Sequence, residues 1–239
     1  MAEDTHMGEK YLNITLERDE LSRNLGGGIP RNSLILLEGE DGSGKSIIAQ
    51  RLVYAMVEHR TTVTYISTEL NTMTFVEQMD SMDYDIKKAL LNGDLLFIPM
   101  FPLLGYTSLD PDFFNNLLDN KELFRSEVIV FDTLSFLLVH KTMNHKQAFN
   151  VINLLKRFTA LGKTIIFCVD DKHLNETFLT LLRGVCDIYM TVAVKSFAGQ
   201  SVRVISTHRF KRPEASFITN IPFKIEPGKG LTIEIASFE

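Results

Sequence analysis

The amino-acid sequence predicts an α/β fold, a mostly parallel central sheet with helices on both faces and antiparallel strands added at the C-terminal edge. Between residue 33 and about residue 190, apolar runs of strand length alternate with segments of helical period. The strand runs lack polar alternation, as expected of parallel strands that helices cover on both faces. From Asp187 onward, short β segments follow one another with Gly, Asn and Pro between them, which favours antiparallel pairing.

Each apolar run of the first part is predicted to form one strand of the sheet. The predicted strands are residues 33–38, 62–67, 95–98, 128–131 and 164–169. The predicted helices are residues 46–59, 71–79, 85–91, 112–124 and 146–161, and residues 99–111 are predicted to form a loop. Gly162 ends the last helix, because glycine readily takes the left-handed conformation that closes a helix. The late strands are predicted at residues 188–194, 202–209, 216–225 and 231–235.

Composition narrows the class of protein. The chain has 239 residues, 45% of them hydrophobic, with a formal net charge of −5 and two cysteines. It is predicted to form one domain over residues 11–239, after a flexible tail at residues 1–10. The negative charge disfavours a broad nucleic-acid surface, which depends on clustered Lys and Arg. Two separated cysteines do not make a disulfide framework, and a polar N-terminus without a signal-peptide core predicts a cytoplasmic protein.

Residues 39–46 read Gly-Glu-Asp-Gly-Ser-Gly-Lys-Ser and match the full pattern of a phosphate-binding P-loop. Glycines let the backbone curl so that amide hydrogens point at an anion, and the helix that follows adds the positive end of its dipole. Lys45 is predicted to bridge the β- and γ-phosphates of ATP, and the Ser46 hydroxyl to bind Mg²⁺. The residues predicted to bind the nucleotide here are Gly39, Asp41, Gly42, Ser43, Gly44, Lys45, Ser46 and Ile47. The acid Asp41 is compatible with an anion site if its side chain faces outward.

Acidic residues follow three of the predicted strands. Asp132 ends the run at 128–131 and is predicted to be the second protein ligand of Mg²⁺. Glu69, just past residues 62–67, is predicted to orient the attacking water; the alternative is an ordinary acid in the first turn of the next helix. Asp170 or Asp171 is a further candidate for sensing the γ-phosphate. Lys45, Glu69 and Asp132 are thus the predicted catalytic residues.

Residues 21–33, LSRNLGGGIPRNS, lead directly into this loop. They resemble the L-D-x-x-L-G-G-G-I-P-x-G-S lead of the RecA/KaiC superfamily of ATPases. Ser22 stands in place of the Asp, and Asn32 in place of the last Gly, where Asn tolerates the same left-handed backbone. The resemblance covers nearly the whole chain. It implies a RecA-like P-loop fold and places Glu69 and Asp132 at the catalytic-glutamate and Walker B positions.

Within the superfamily, the chain is most similar to the single-domain KaiC-like family of the archaellum (archaeal flagellum) motor. Its length, its E-G-x-x-G-x-G-K-S loop and the Thr-Glu after the second strand carry this likeness. The resemblance implies a homo-oligomeric ring, a hexamer, that docks on the secretion-type motor ATPase and its membrane platform protein at the cytoplasmic face of the membrane. It also implies little or no ATP turnover, with ATP acting as a conformational ligand.

Members of the superfamily often complete a neighbour's site with a basic pair, K-x-R, on a late strand. Arg209-Phe210-Lys211 occupies the matching stretch with the two basic types exchanged. Residues two apart on a strand share a face, so Arg209 and Lys211 can both reach one phosphate group in the neighbouring subunit. The alternative is a solvated edge strand.

Two other functions compete with the scaffold. A DNA-dependent ATPase of the recombinase type needs Gly-rich, basic loops after the core strands, and residues 134–139 and 170–173 do not have that composition. A kinase needs an Arg-rich lid or acceptor pocket, and no such segment stands out, although Ser67 or Thr68 beside Glu69 is a candidate for autophosphorylation.

Overall fold

A computed structural model describes residues 10–100, 125–133, 145–197 and 200–234 of the chain. Within these residues, a nine-stranded sheet forms the centre of the molecule, and helices pack on both of its faces. The predicted fold class is therefore confirmed. Over the same ranges, no helix combines the length and the apolar character needed to cross a bilayer.

The central sheet is built around a parallel core. In chain order the strands are β1 (Tyr11–Leu12), β2 (Ile29–Pro30), β3 (Leu34–Glu38), β4 (Val63–Ser67), β5 (Leu95–Pro99), β6 (Val128–Asp132), β7 (Thr164–Val169), β8 (Ile188–Phe197), β9 (Gln200–Phe210), β10 (Asn220–Glu226) and β11 (Gly230–Ile233). Strands β1 and β2 pair with each other, and the large sheet has the order β11-β10-β9-β8-β3-β7-β6-β4-β5. Strand β3 lies at the centre of the large sheet. Because the loop after β3 follows the carboxyl end of a parallel strand, it lies at the carboxyl edge of the sheet.

The helices divide the core into two layers. They are α1 (Leu21–Asn24), α2 (Lys45–Glu58), α3 (Thr72–Ser81), α4 (Lys87–Asn92), α5 (His145–Ala160) and α6 (Glu176–Val185). Because side chains alternate along a strand, Ile35 of β3 packs in the layer of α2 and α3, whereas Leu36 packs in the layer of α5 and α6. This two-sided burial explains why the strand sequences show no polar alternation.

The predicted elements of the first part agree with the structure to within a few residues. Gly162 ends α5 with φ 86°, and Asn32 has φ 56°, so both positions adopt the left-handed backbone that the sequence indicated. The predicted loop at 99–111, apart from its first two residues, and the predicted helix at 112–124 lie outside the described residues.

One strand of the C-terminal edge runs in the direction opposite to the prediction. Strand β8 is parallel to β3, with Ile188 opposite Ile35, and only β9, β10 and β11 are antiparallel additions. Strand β8 is parallel because helix α6, which was not predicted from the sequence, precedes it. A parallel neighbour needs a crossover connection, and α6 supplies it between β7 and β8. The signal was present, since Asn175 caps the helix by accepting from the Phe178 N–H at 2.8 Å and Glu176 lies in its first turn.

The N-terminal segment is attached to α2 by a buried ion pair. Arg51 of α2 donates from Nε to Asp19 at 3.0 Å and from Nη2 to the same carboxylate at 2.5 Å. Its Nη1 donates to the Ile14 carbonyl at 2.6 Å. Both charged side chains are fully buried, so the segment before the phosphate loop is held against the helix that follows the loop.

Candidate functional site

The phosphate loop joins β3 to α2 and has a conformation that depends on glycine. Gly42 and Gly44 have φ 71° and 105°, and Gly44 is the N-cap residue of α2. A Cβ on Gly39 would lie 2.2 Å from the Val192 carbonyl oxygen of the adjacent strand, so any larger residue would collide with backbone. The Asp41 side chain is exposed, which meets the condition set for an acid in an anion site.

Lys45 is buried and folds back over its own loop. Its Nζ donates to the carbonyl oxygens of Gly39 at 2.7 Å and Glu40 at 2.6 Å. The Ser43 hydroxyl is buried and has no hydrogen-bond partner among the residues that the structure describes. A loop that concentrates an ammonium group, an unpartnered hydroxyl and the first turn of a helix is complementary to a polyphosphate. These residues therefore fit the nucleotide that the motif predicts.

Asp132, at the end of β6, meets the phosphate loop through Ser46. The Ser46 hydroxyl donates to Asp132 Oδ1 at 2.9 Å, and the Tyr65 hydroxyl donates to Oδ2 at 2.5 Å. Burial raises the pKa of the Asp132 carboxyl, although the hydrogen bonds from Tyr65 and Ser46 oppose the shift. Burial and the nearby Asp132 charge also raise the pKa of Tyr65 well above its ordinary value, so Tyr65 keeps its proton and acts here as a hydrogen-bond donor.

Glu69 lies near Asp132 and contacts Thr133, the next residue in the chain. The Thr133 hydroxyl donates to Glu69 Oε1 at 2.9 Å, and the Thr133 N–H donates to the Thr68 hydroxyl at 3.0 Å. Burial, followed by the charge of Asp132, raises the pKa of the Glu69 carboxyl, and the Thr133 hydrogen bond opposes that shift. Thr133 thus links the Glu69 carboxylate to the end of β6.

Lys45, Ser46, Glu69 and Thr133 line one cavity of about 270 Å³, and Asp132 lies behind it, bonded to Ser46. Its lining residues are Asp41, Gly42, Gly44, Lys45, Ser46, Ile47, Glu69, Leu70, Gln78, Thr133, Arg203 and Ile225. A second cavity, of about 370 Å³, lies between the β1 region and Glu214. Its one acidic lining side chain, Glu214, already accepts the Gly28 N–H at 2.7 Å, so we place the chemistry in the smaller cavity.

Two side chains of the site carry oxygen atoms that could bind a metal ion. Ser46 and Asp132 supply a hydroxyl and a carboxylate, the ligand types that Mg²⁺ uses in nucleotide sites together with phosphate and water oxygens. Elsewhere in the described ranges, no group of three or more His, Cys, Asp or Glu side chains is arranged to hold a metal.

The predicted basic pair does not line the cavity of its own chain. Arg209 pairs with Tyr189 of β8, which lies opposite Leu36 in the middle of β3, whereas the phosphate loop follows Glu38. Its Nη1 donates to the carbonyl oxygens of Arg183, of Gly184 at 3.3 Å and of Cys186 at 3.4 Å, at the C-terminal end of α6. Lys211 Nζ lies 3.4 Å from Asp187. Neither residue belongs to the site of its own chain, and their predicted role in a neighbour's site stays a prediction.

The candidate γ-phosphate sensors follow β7. Asp170 is buried and accepts the Lys172 N–H at 2.9 Å, and Lys172 Nζ in turn lies 3.1 Å from Glu40 in the phosphate loop. Glu69 lines the cavity, whereas Asp170 and Asp171 do not, and the water-orienting role of Glu69 stays a prediction.

Several residues of the site were not identified from the sequence, and Tyr65 and Arg203 show why. Tyr65 reaches Asp132 only because β4 and β6 are neighbours in the sheet, and Arg203 reaches the cavity only because β9 folds back along β8. Both contacts depend on strand order, which local patterns do not specify.

Comparison with known proteins gives one consistent family. The family model described as "ATPase: KaiC" matches residues 14–237. The archaeal flagellar ATP-binding protein FlaH of Methanocaldococcus jannaschii is 38% identical over 227 residues, which are 94% of this chain and 96% of the relative. FlaH of Methanococcus voltae is 35% identical over 228 residues, covering 95% and 99% of the two chains. The crystal structure of the M. jannaschii protein superposes with a TM-score of 0.87, at 36% identity over 95% of this chain and all of that one.

Proposed function

The chain belongs to the KaiC family of ATPases and, within it, to the FlaH proteins, and we propose that it is the ATP-binding component of an archaellum motor. In this role residues 11–239 act as one ATP-binding domain whose nucleotide state regulates a ring or scaffold, with little or no hydrolysis. The observation that carries the proposal is the contact between the phosphate loop and the end of β6, in which the Ser46 hydroxyl donates to Asp132 at 2.9 Å.

The phosphate loop would bind the tail of the nucleotide. Lys45 exchanges its two carbonyl partners, Gly39 and Glu40, for phosphate oxygens, which carry more negative charge. The N–H groups of Lys45, Ser46 and Ile47 lie in the first turn of α2, where a helix has no internal acceptors for them. These groups supply directed donors, and Lys45 supplies the charge.

Ser46 and Asp132 would hold Mg²⁺ through their oxygen atoms. When bound, the metal supplies positive charge that stabilises the polyphosphate. Burial raises the pKa of Asp132, and a cation bound against its carboxylate would favour the charged form. Tyr65 keeps Asp132 oriented towards Ser46 from the side of β4.

Glu69 supports slow hydrolysis at most. Its carboxylate would orient a water beside Lys45 and Thr133, and its raised pKa makes it a better proton acceptor than an exposed carboxylate once it is ionised. One of its two oxygens is engaged by Thr133. We infer that ATP serves chiefly as a ligand that orders the loop, Glu69 and the adjoining surface.

The partners follow from the family. We propose that the chain forms a homo-oligomeric ring, a hexamer, and docks on the motor ATPase and its membrane platform protein at the cytoplasmic face of the membrane. FlaH proteins are named for the archaeal flagellum and for ATP binding, which supports this setting. Arg209 and Lys211 would enter the site of the neighbouring subunit.

Calorimetric titration with Mg·ATP tests the binding role. Lys45→Ala is expected to lower the affinity by about 100-fold or more, because a charged group with several hydrogen bonds to phosphate is lost. Lys229→Ala, which removes a lysine from an exposed pair with Glu226, is the matched control and is expected to bind like the wild type. Wild-type affinity in the Lys45 variant would refute the proposal.

A phosphate-release assay with and without single-stranded DNA separates the proposal from the recombinase alternative. Slow release that DNA does not change is expected of a nucleotide-regulated scaffold. A rate that rises several-fold with DNA would instead assign the protein to the DNA-dependent ATPases.

A further inference from the structure

Arg203 is a basic residue of the cavity to which no role has been given. It lies on β9, pairs with Phe223 of β10, and lines the cavity together with Gly44, Lys45 and Ile225. Cross-strand partners share a face of the sheet, and Phe223 belongs to the core layer that packs against α2. Arg203 therefore leaves the sheet on the face where α2 begins.

The side chain of Arg203 is held at the junction of the loop and α2. Arg203 packs closely against Gly44: a Cβ added to Gly44 would lie 3.4 Å from Cδ of Arg203 and 3.3 Å from Cζ of Phe223. The Arg203 Nε is buried and has no hydrogen-bond partner within the described part of the chain. A buried donor is normally paired, so an acceptor that enters the cavity is the expected partner.

The order of the strands places acidic residues on one side of the cavity, and Arg203 and Ile225 on the other. The phosphate loop follows β3, and the acidic groups Asp132 and Glu69 come from β6 and from the end of β4, on one side of it. Arg203 and Ile225 come from β9 and β10, on the other side. A nucleotide whose terminal phosphates lie towards the acids and the metal ligands must place its nucleoside end towards Arg203 and Ile225.

We propose that Arg203 binds the α-phosphate of the nucleotide in its own subunit and that Ile225 forms the apolar wall for the nucleoside. This inference rests on the proposed function. An arginine suits the position because its guanidinium is always charged and presents several donors in one plane to phosphate oxygens. The same strand would then serve two sites, since Arg203 faces its own nucleotide while Arg209, at the far end, is predicted to face a neighbour's.

Titration of Arg203→Met with Mg·ATP and with Mg·ADP tests the assignment. Both nucleotides carry an α-phosphate, so both affinities are expected to fall by about the same factor, roughly tenfold, as for a lost charged contact. Arg203→Lys keeps the charge but not the planar set of donors, so a smaller loss is expected. Lys224→Met removes one charge from the adjacent strand, where Lys224 is exposed, and is expected to change neither affinity.

The outcomes separate this inference from the proposed function. A wild type that binds neither nucleotide refutes the proposed function itself. A wild type that binds both, with an Arg203→Met variant of equal affinity, refutes only the role of Arg203. A variant that loses ATP but not ADP affinity also overturns the inference, because it places Arg203 at the γ-phosphate. If Arg203→Met does not fold, as judged by thermal denaturation without nucleotide, the Arg203→Lys series decides between the same outcomes.

Discussion

At the scale of single residues, the site is organised around two carboxylates that share a partly desolvated space. Asp132 is fixed on both oxygens, by Ser46 and by Tyr65, whereas Glu69 is fixed on one, by Thr133. The pKa of each is raised, mainly by burial. The doubly held acid suits a metal ligand, which must not move, and the singly held acid keeps one oxygen for a water.

The raised pKa of Glu69 predicts how turnover depends on pH. A group that orients or deprotonates water acts in its ionised form, so hydrolysis is expected to fall as the pH drops through a pKa above the ordinary carboxyl value. Thr133→Val removes the hydrogen bond that lowers this pKa, so the acid limb of the profile is expected to move to higher pH. Single-turnover hydrolysis of ATP, measured across the acidic range for both proteins, checks the direction.

Glu69→Gln is the control for that profile. It is expected to bind Mg·ATP with wild-type affinity and to lose the residual turnover at every pH, because the amide cannot accept the proton. A Gln variant that turns over at the wild-type rate would move the water-orienting role to Asp170, the next carboxylate at this edge. An unchanged acid limb in Thr133→Val would show that Glu69 does not set the profile.

The residues of the site were predicted from sequence to different extents, for a physical reason. The phosphate loop, Glu69 and Asp132 were located because each follows a strand in a recognisable local pattern, and the structure brings them to one cavity. Tyr65 and Arg203 could not be located, since their contacts arise across strands that are distant in sequence. The trans role of Arg209 and Lys211 concerns a second subunit, so a single chain neither supports nor contradicts it.

At the scale of elements, the position of α2 depends on what lies behind it. Arg51, near the middle of α2, is paired with Asp19 and the Ile14 carbonyl in a fully buried contact. This contact joins the N-terminal segment to the helix whose first turn forms the phosphate site. At the other end of the loop, Glu38 of β3 is bonded to Arg183 of α6, with Nη2 2.5 Å from Oε1. Ion pairs therefore hold the elements on both sides of the loop.

The buried pair predicts a large and specific effect on stability. Arg51→Met leaves Asp19 as an unpaired buried charge and is expected to lower the free energy of unfolding by about 3–5 kcal/mol. The double variant Arg51→Met with Asp19→Leu removes both charges and is expected to recover a large part of that loss. Denaturant unfolding of the two variants and the wild type measures the difference.

An exposed pair supplies the comparison. Lys87→Met breaks a 2.5 Å contact with Asp80 at the surface and is expected to lower the free energy of unfolding far less than Arg51→Met, because solvent screens such pairs. If Arg51→Met cost no more than this surface variant, the pair would not hold the N-terminal segment against α2.

Elements were easier to predict than the connections between them. Continuous apolar runs located the five parallel strands from β3 to β7, because burial on both faces leaves a clear pattern. Helix α6 was missed, and with it the direction of β8. The direction of a strand is set by what connects it to its neighbour, so one missed crossover reversed one strand while the fold class stayed correct.

At the scale of the whole molecule, β9 carries both an arginine proposed for the chain's own nucleotide site and one proposed for a neighbour's. Arg203 near its start lines the chain's own cavity, and Arg209 near its end donates to carbonyl oxygens at the C-terminal end of α6. For Arg209 to enter a neighbour's site, it must release the carbonyl oxygens of Gly184 and Cys186. In the proposed ring, ATP in the neighbouring subunit would offer stronger acceptors than these carbonyls and would thereby couple nucleotide binding to ring assembly.

Mixing two defective proteins tests this coupling. The Lys45→Ala variant has a damaged phosphate loop but an intact basic pair, and the Arg209→Ala/Lys211→Ala variant has the reverse. Neither alone is expected to form ATP-dependent rings, as measured by native mass spectrometry. In an alternating ring of the mixture, half of the sites join an intact loop to an intact pair, so assembly with Mg·ATP is expected to recover in part. If the double variant alone assembles with ATP like the wild type, Arg209 and Lys211 have no role in trans.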